Sequence, residues 1–143
     1  MAIKNQITIH LQSHSENVAI ARVTAAAFAA QIDFTLNEIE EIKVAVSEAI
    51  SNAIIHGYEE GKGQINFIMN LYEGKIEYII EDKGRGIEDI ALARQASYSS
   101  DPERMGLGFV FMESFMDELE ISSEVNKGTK VRMAKKILRN IGH

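Results

Sequence analysis

TLNEIEEIKVAVSEAISNAIIHG, residues 35–57, is the stretch that decides the fold. Thr35 followed three residues later by Glu38 is a capping-box pattern, which marks the first turn of a helix. Apolar residues then recur every three or four positions until Gly57, a residue typical of helix ends. The pattern predicts a long amphipathic helix with one face buried in a core.

Three polar residues of this helix, Glu48, Asn52 and His56, are spaced by four and therefore form one stripe beside the apolar face. In a functional interpretation, the amide oxygen of Asn52 binds a metal ion beside the phosphates of a nucleotide, and Glu48 polarises an incoming hydroxyl. In the plainer interpretation, the stripe is a solvated helix face. The spacing alone leaves both interpretations open.

The stretch before this helix predicts a strand and a second helix. Ile7, Ile9 and Leu11 alternate with polar residues, which indicates a half-buried strand that could lie at a sheet edge. An alanine-rich helix follows, up to residue 33. Its predicted cap is Ser13 or Ser15, and its predicted apolar positions are Val18, Val23, Phe28 and Ile32.

Two strand pairs are predicted in the second half of the chain. Alternating apolar residues in 64–82 flank Glu73-Gly74, a plausible hairpin turn. Residues 118–123 and 129–135 predict the second pair. Both pairs should be antiparallel.

Between these pairs, residues 83–108 carry glycines and the single proline around a short helical piece near 88–95. Helical periodicity resumes at 109–116. The order of elements predicts one α+β domain spanning 1–143. Its architecture is a two-layer α/β sandwich, with a mostly antiparallel sheet covered on one face by helices.

Composition argues against several classes of protein. The 21 acidic and 15 basic residues give a formal charge of -6, which argues against direct binding to nucleic acid or anionic membrane. The chain has no cysteine, so disulfides and thiolate metal sites are excluded. Residues 1–11 lack the apolar run of a signal peptide, and no segment has the apolar length of a transmembrane helix. We therefore expect a soluble, cytoplasmic protein.

The string Asp82-Lys83-Gly84-Arg85-Gly86 directly follows a predicted strand. The Asp82 carboxylate can accept a hydrogen bond from an adenine amino group, while Gly84 and Gly86 let the backbone approach a flat polar ligand. A simple turn is the competing interpretation, and the string alone does not decide between them.

A second glycine pair, Gly106 and Gly108, flanks Leu107 just before a predicted helix. Glycine amides, the helix N-terminus and the Arg104 guanidinium would together bind phosphate oxygens. The alternative is the hinge of a flexible lid, and the two interpretations are compatible.

Gly128-Thr129 closes a predicted hairpin immediately before the last strand. The Thr129 hydroxyl is placed to reach a ligand held between strand and helix, although turn chemistry explains the pair about as well. A zinc enzyme is not supported, because only His10 and His14 of the four histidines lie close in sequence and no cysteine accompanies them.

Taken in order, these four motifs resemble the N, G1, G2 and final boxes of the GHKL superfamily of ATPases and kinases. The resemblance covers nearly the whole chain. Within the superfamily, the chain is similar to the bacterial anti-sigma-factor serine/threonine kinases, chiefly over residues 21–24, 46–60 and 112–117. The implied fold is the GHKL (Bergerat) ATP-binding sandwich, with a flexible ATP lid around 87–105. The stretch 99–104 is about two residues shorter than the lid of the family.

The resemblance implies an enzyme that binds and inhibits a sporulation sigma factor and phosphorylates a serine of an anti-anti-sigma protein, using ATP and Mg²⁺. It implies that Glu48 is the base, that Asn52 binds Mg²⁺ and that Asp82 recognises adenine. Arg22 would contact a partner, and a homodimer is expected. The other implied nucleotide-binding residues are His56, Gly84, Gly86, Arg104, Gly106, Leu107, Gly108 and Thr129.

Two other functions stay open. An ATP-dependent sigma-binding module would share these boxes without phosphorylating its partner. The catalytic domain of a histidine kinase shares them too, but it normally follows a helical domain that carries the acceptor histidine, and 143 residues leave no room for one. The resemblance therefore favours transfer to a serine of another protein.

Overall fold

The computed structural model describes residues 2–57, 63–84, 86–87, 90–93 and 103–137. Five strands, four α-helices and one π-helical turn make up this part of the chain. In chain order they are β1 Ile3–Gln12, α1 Asn17–Ala29, α2 Leu36–Asn52, the π turn Ala53–Gly57, β2 Gln64–Tyr72, β3 Lys75–Asp82, α3 Ile90–Ala93, α4 Glu103–Phe115, β4 Glu118–Glu124 and β5 Gly128–Lys136.

The strands form one sheet in the order β1-β2-β3-β5-β4, and each neighbouring pair is antiparallel. Both predicted strand pairs are confirmed as the β2–β3 and β4–β5 hairpins. The β2–β3 turn contains Gly74 with φ +80°, a conformation that glycine adopts without steric cost. β1 lies at one edge of this sheet, as its alternating sequence suggested. The predicted α+β sandwich is therefore confirmed.

The capping box at the start of α2 is present as predicted. The Glu38 amide donates to Thr35 Oγ1 at 3.1 Å, and the Thr35 amide donates back to Glu38 Oε1 at 2.8 Å. The helix does not continue unchanged to Gly57, however, because α geometry ends at Asn52 and a π turn follows. Single π turns of this kind are frequent at functional sites.

The predicted start of α1 is wrong. The helix begins at Asn17 after Glu16, and no side chain caps it. Ser13 is buried instead, and its hydroxyl accepts a hydrogen bond from the Gly63 amide at 3.1 Å. Ser13 thus joins the end of β1 to the segment before β2, which a local capping pattern could not reveal.

Alanines, more than the predicted large residues, form the buried face of α1. Ala21, Ala25 and Ala29 are fully buried together with Phe28, whereas Val23 is 64% exposed. Small side chains let the helix axis approach its neighbours closely, and the Tyr78 hydroxyl of β3 donates to the Ala25 carbonyl at 2.8 Å. The predicted core position at Val23 is therefore wrong.

One face of the sheet packs on the helices and forms the core. Phe67 and Tyr78 stack in its centre with ring centroids 6.1 Å apart, and both are fully buried. Phe109 and Met112 bring α4 into the same core. Among the described residues, no helix is long and apolar enough to cross a membrane.

Helix α4 begins earlier than its sequence predicts. Its first residue is Glu103, so Gly106 and Gly108 lie within the helix instead of preceding it at Phe109. Packing of buried Phe109 against the core offsets the low helix propensity of the glycines. The short helix near 88–95 corresponds to α3, while residues 88–89 and 94–102 of the predicted lid lie outside the described part of the chain.

Candidate functional site

The predicted ligand-binding carboxylate, Asp82, ends β3 and is buried. The Gly84 amide donates to Asp82 Oδ1 at 2.9 Å, and the Thr129 amide donates to the same carboxylate. Burial raises the pKa of Asp82 from its ordinary value, and these two hydrogen bonds oppose the rise only in part. The fold thus keeps a desolvated carboxylate at the end of a strand.

Two glycines allow the turns around Asp82 to pack closely. Gly128 has φ +117°, and a Cβ there would lie 2.0 Å from the Asp82 carbonyl oxygen. Gly86 has φ +77°, and a Cβ there would lie 2.3 Å from the Glu124 carbonyl oxygen. Any larger residue would push these backbones apart, so the glycines are required by packing before any ligand is considered.

Glu48 and Asn52 meet α4 at Gly108. A Cβ on Gly108 would lie 2.9 Å from Glu48 Oε2 and 3.3 Å from Asn52 Nδ2. Asn52 is 8% exposed, and its Nδ2 has no hydrogen-bond partner among the residues that the structure describes. A buried amide without a partner costs about 1–3 kcal/mol, which points to a ligand that would satisfy it.

Some of these groups line a pocket with about 360 Å³ of empty space, part of it open to solvent. Four residues predicted for the site line it together: Asn52, Asp82, Gly86 and Thr129. The sequence prediction missed its apolar walls, which resemble ordinary core positions in the sequence. They are Ala49, Ala53, Ile80, Ile87, Phe109 and Val131. A mostly apolar pocket with a few convergent polar groups is typical of a small-molecule site.

A further residue missed from the sequence is Ser123 on β4. Its Oγ lies 2.8 Å from the Thr129 hydroxyl and accepts a hydrogen bond from the Ile87 amide at 2.7 Å. Serines at strand ends are common, so only its position opposite Thr129 in the β4–β5 register could have indicated this contact.

Other predicted residues are not brought into the pocket. Leu107 is 46% exposed on α4 and is not one of the lining residues. Arg22 lies on α1, where its Nη1 donates to Ser47 Oγ at 3.3 Å. The side chains of His56 and Arg104, and the surroundings of Gly106, are outside the described part of the structure.

The chemistry of the site suits a hard metal ion shared with a ligand more than a metal held by protein alone. No group of three His, Cys, Asp or Glu side chains that could hold a metal is found within the described ranges. If the side-chain amide of Asn52 is turned by 180°, its oxygen would be one neutral ligand, and phosphate oxygens and waters would complete the shell of a Mg²⁺ ion.

The sequence matches a known domain family and known proteins. The family described as histidine kinase-like ATPase domain matches residues 11–135. The anti-sigma F factor of Clostridium perfringens is 48% identical over 136 residues, which cover 93% of this chain and 97% of the relative. The chain belongs to the anti-sigma F factor family.

A second relative in this family has the same extent. The anti-sigma F factor of Anoxybacillus flavithermus is 45% identical over 141 residues, which cover 96% of this chain and 97% of the relative. The family domain, a histidine kinase-like ATPase domain, implies ATP binding.

Solved structures support the fold of the anti-sigma F factor family. The RsbU and RsbW domains of a Mycobacterium tuberculosis protein match with a TM-score of 0.66 and 21% identity, over 93% of this chain and 32% of that one. A histidine kinase domain from Erythrobacter litoralis matches with a TM-score of 0.58 and 16% identity, over 89% of this chain and 62% of that one. At these identities the likeness shows the fold alone.

Proposed function

We propose that this chain is an ATP-dependent serine kinase that also binds and inhibits a sporulation sigma factor, its substrate being a serine of an anti-anti-sigma protein. The observation that carries the kinase proposal is the meeting of Glu48 and Asn52 at Gly108, beside a pocket that contains Asp82. A carboxylate and a buried amide, brought together where Gly108 lets α4 approach α2, would provide a base and a metal ligand. The names of the relatives support the sigma factor as a partner.

Asp82 and Thr129 are the proposed contacts of the adenine ring. The Asp82 carboxylate accepts hydrogen bonds, and adenine presents an exocyclic amino group that donates them. Ile80 and Val131 line the same pocket and offer apolar contact to the ring faces. The hydrogen bonds from the Gly84 and Thr129 amides support this role, because they hold the carboxylate in one position.

Asn52 is the proposed protein ligand of Mg²⁺. Its buried Nδ2 lacks a hydrogen-bond partner in the described part of the chain and lies beside Gly108. Rotating the amide by 180° would place its oxygen there instead, where the phosphates would approach α4. When bound, Mg²⁺ would offset the negative charge of the phosphates during transfer. The residues present fit this ion, since a single protein ligand with phosphate oxygens and waters is an ordinary magnesium site.

Glu48 is the proposed general base. Its carboxylate would accept the proton of the substrate serine as that oxygen bonds to the γ-phosphorus. The bond from the γ-phosphorus to the bridging oxygen breaks in the same transfer and ADP leaves. Glu48 precedes Asn52 by about one turn of α2. One rigid helix would therefore set the distance between the base and the metal ligand.

The exposed side of α1 is the proposed partner surface. Ile20 is 53% exposed and Val23 is 64% exposed, while Arg22 is half-buried where it bonds Ser47 of α2. Arginine is enriched at protein interfaces, and a partner could cover the exposed apolar residues of α1. Replacing Arg22 with Ala should weaken retention of the sigma factor in co-purification, while Lys127→Ala, which removes a positive charge from the β4–β5 turn, should not. Equal retention by both variants would exclude Arg22 as a contact.

The kinase proposal is tested with Glu48→Ala and a matched control. Glu40 lies on the same helix, and its side chain is 66% exposed. We expect Glu48→Ala to bind ATP normally and to lose transfer of labelled phosphate to a purified anti-anti-sigma protein, whereas Glu40→Ala should keep both activities. Normal transfer by Glu48→Ala would remove Glu48 from the role of base.

A second candidate function is an ATP-dependent sigma-binding module without kinase activity. It is favoured by the position of Glu48 Oε2 against Gly108, because α4 then occupies space next to the proposed base. The same labelling experiment distinguishes the two functions. A binding module would retain the sigma factor with ATP present and leave the anti-anti-sigma protein unlabelled, even with the unmodified chain.

A further inference from the structure

The Ser123 hydroxyl joins three separate segments at the edge of the pocket. It accepts a hydrogen bond from the Ile87 amide at 2.7 Å, donates to the Gly128 carbonyl at 3.1 Å and lies 2.8 Å from Thr129 Oγ1. These contacts connect β4, the start of β5 and the turn that follows Gly86. No other described hydroxyl links the two turns that flank Asp82 in this way.

The three bonds determine the direction of each hydroxyl proton. Ser123 has one proton, and in the arrangement that satisfies all three contacts it goes to the Gly128 carbonyl, which can only accept. The two lone pairs of Ser123 then accept from the Ile87 amide and from Thr129. The Thr129 hydroxyl must therefore be the donor in its bond to Ser123.

This arrangement fixes the polarity that Thr129 presents to the pocket. With its proton directed at Ser123, Thr129 Oγ1 has only lone pairs left for a ligand. Asp82, the register partner of Thr129 in the β3–β5 pairing, is also an acceptor when ionised. The polar end of the pocket therefore presents two neighbouring acceptors.

We propose that Ser123 is a positioning residue that holds the Thr129 hydroxyl as an acceptor and anchors the Gly86–Ile87 turn. The pocket would then select a purine with an amino group at ring position 6 over one with a carbonyl there. Adenine has the amino group and guanine has the carbonyl at the corresponding ring position. This inference rests on the proposed ATP site and adds its selectivity. A rotating Thr129 hydroxyl would instead be able to donate to guanine.

The competing explanation is that Ser123 only stabilises the β4–β5 turn. In that case, loss of Ser123 would lower thermal stability and weaken the binding of all nucleotides equally. The adjacent Ser122 provides a matched control, because it is exposed on the same strand and points to the opposite face. The ratio of ATP to GTP affinity is the measurement that a purely structural role would leave unchanged.

The experiment measures the Kd of ATP and of GTP by calorimetry for the full chain and its variants. We expect Ser123→Ala to raise the Kd of ATP roughly five- to tenfold and the Kd of GTP by less, so that the preference for ATP falls. Ser123→Thr, which keeps the hydroxyl, should restore the preference, and Ser122→Ala should leave it unchanged. An unchanged preference in Ser123→Ala would overturn the proposal.

A second variant keeps the test valid if Ser123→Ala does not fold. Thr129→Val removes the hydroxyl that Ser123 is proposed to orient, so it should lower the ATP preference similarly. Where both single variants fold, the double variant should lose no more preference than either one, because both act through the same bond. Additive losses would overturn the proposal. Failure of the unmodified chain to bind ATP would overturn the proposed function as well, a result distinct from ATP binding with an unchanged preference.

Discussion

Gly108 and Glu48 are in such close contact that a Cβ added to Gly108 would lie 2.9 Å from Glu48 Oε2. The contact joins α4 to α2 at the point where the proposed base and the proposed metal ligand lie one turn apart. Glycine at this position therefore has a reason beyond backbone freedom: it leaves space for a functional side chain on the neighbouring helix.

Gly108→Ala should separate stability from activity. Alanine is favoured over glycine within a helix by about 1 kcal/mol, and the atom that it would meet is the end of a flexible side chain. We therefore expect the free energy of unfolding to change by no more than about 1 kcal/mol, while phosphate transfer falls roughly tenfold or more because Glu48 is displaced. Val110→Ala, a half-exposed position on α4, is the control. Transfer at the unmodified rate would show that the contact is dispensable.

Asp82→Asn should weaken nucleotide binding without destabilising the fold. The folded-state pKa of Asp82 is raised by burial, so the carboxylate costs stability as pH rises from its ordinary value of 3.8 through the raised one. Asparagine has no such charge. At pH 7, the melting temperature of the Asp82→Asn variant should therefore equal or exceed that of the unmodified chain. ATP should bind roughly tenfold more weakly or worse.

Asp117→Asn is the control for this prediction. Asp117 is exposed, and its Oδ2 accepts a hydrogen bond from the Lys136 amide at 2.7 Å, so the variant removes a charge outside the pocket. It should leave ATP affinity unchanged. A melting temperature several degrees below that of the unmodified chain for Asp82→Asn would contradict the assigned cost of the buried carboxylate.

Local patterns predicted much of the fold from the sequence. The capping box of Thr35 and Glu38 and the turn at Gly74 each depend on a few neighbouring residues, and both are present as predicted. The start of α4 could not be found in this way, because it depends on the packing of Phe109 against the distant strands. The bond from the Gly63 amide to Ser13 likewise spans 50 positions of sequence.

The candidate site was predicted less completely than the fold. Asp82 and Asn52 belong to recognisable motifs, and the structure brings both to one pocket. The walls of the pocket, such as Ile80 and Val131, have the alternation of any buried strand, so no pattern distinguishes a ligand contact from a core contact. Ser123 shows the same difficulty for a polar residue, since its contact with Thr129 depends on the register of β4 and β5 and is not visible in the local sequence.

The edge strand β1 should mediate the homodimer that the family resemblance implies. Ile3 is 46% exposed and Ile7 is 40% exposed on this ten-residue strand, in which Lys4 is the one charged residue. Long, sparsely charged edges readily pair with another chain. We expect Ile3→Asp to weaken dimerisation at least tenfold in sedimentation experiments, because it would bury a charge. Val125→Asp, exposed on the β4–β5 turn, is the control, and a stable Ile3→Asp dimer would move the interface elsewhere.

A charged cluster on the other face of the sheet should make the fold sensitive to acid. Burial alone would raise the pKa of Glu77, but hydrogen bonds from Asn70 Nδ2 at 2.8 Å and from Arg132 Nε outweigh it and lower the pKa. A lowered folded-state pKa means that the stabilisation is complete above the unfolded value of about 4.5 and is lost as pH falls through the folded value.

Glu77→Gln tests this acid sensitivity. The variant should lose about 1–3 kcal/mol of stability at pH 7, because Arg132 loses a buried charged acceptor, and its stability should then fall less steeply below pH 4.5. Glu73→Gln is the control, since Glu73 is 79% exposed and its contact with Lys4 is 3.7 Å long. Denaturant unfolding between pH 3 and pH 7 measures both curves. Parallel acid limbs for Glu77→Gln and the unmodified chain would show that Glu77 protonates at its ordinary pKa in the folded state.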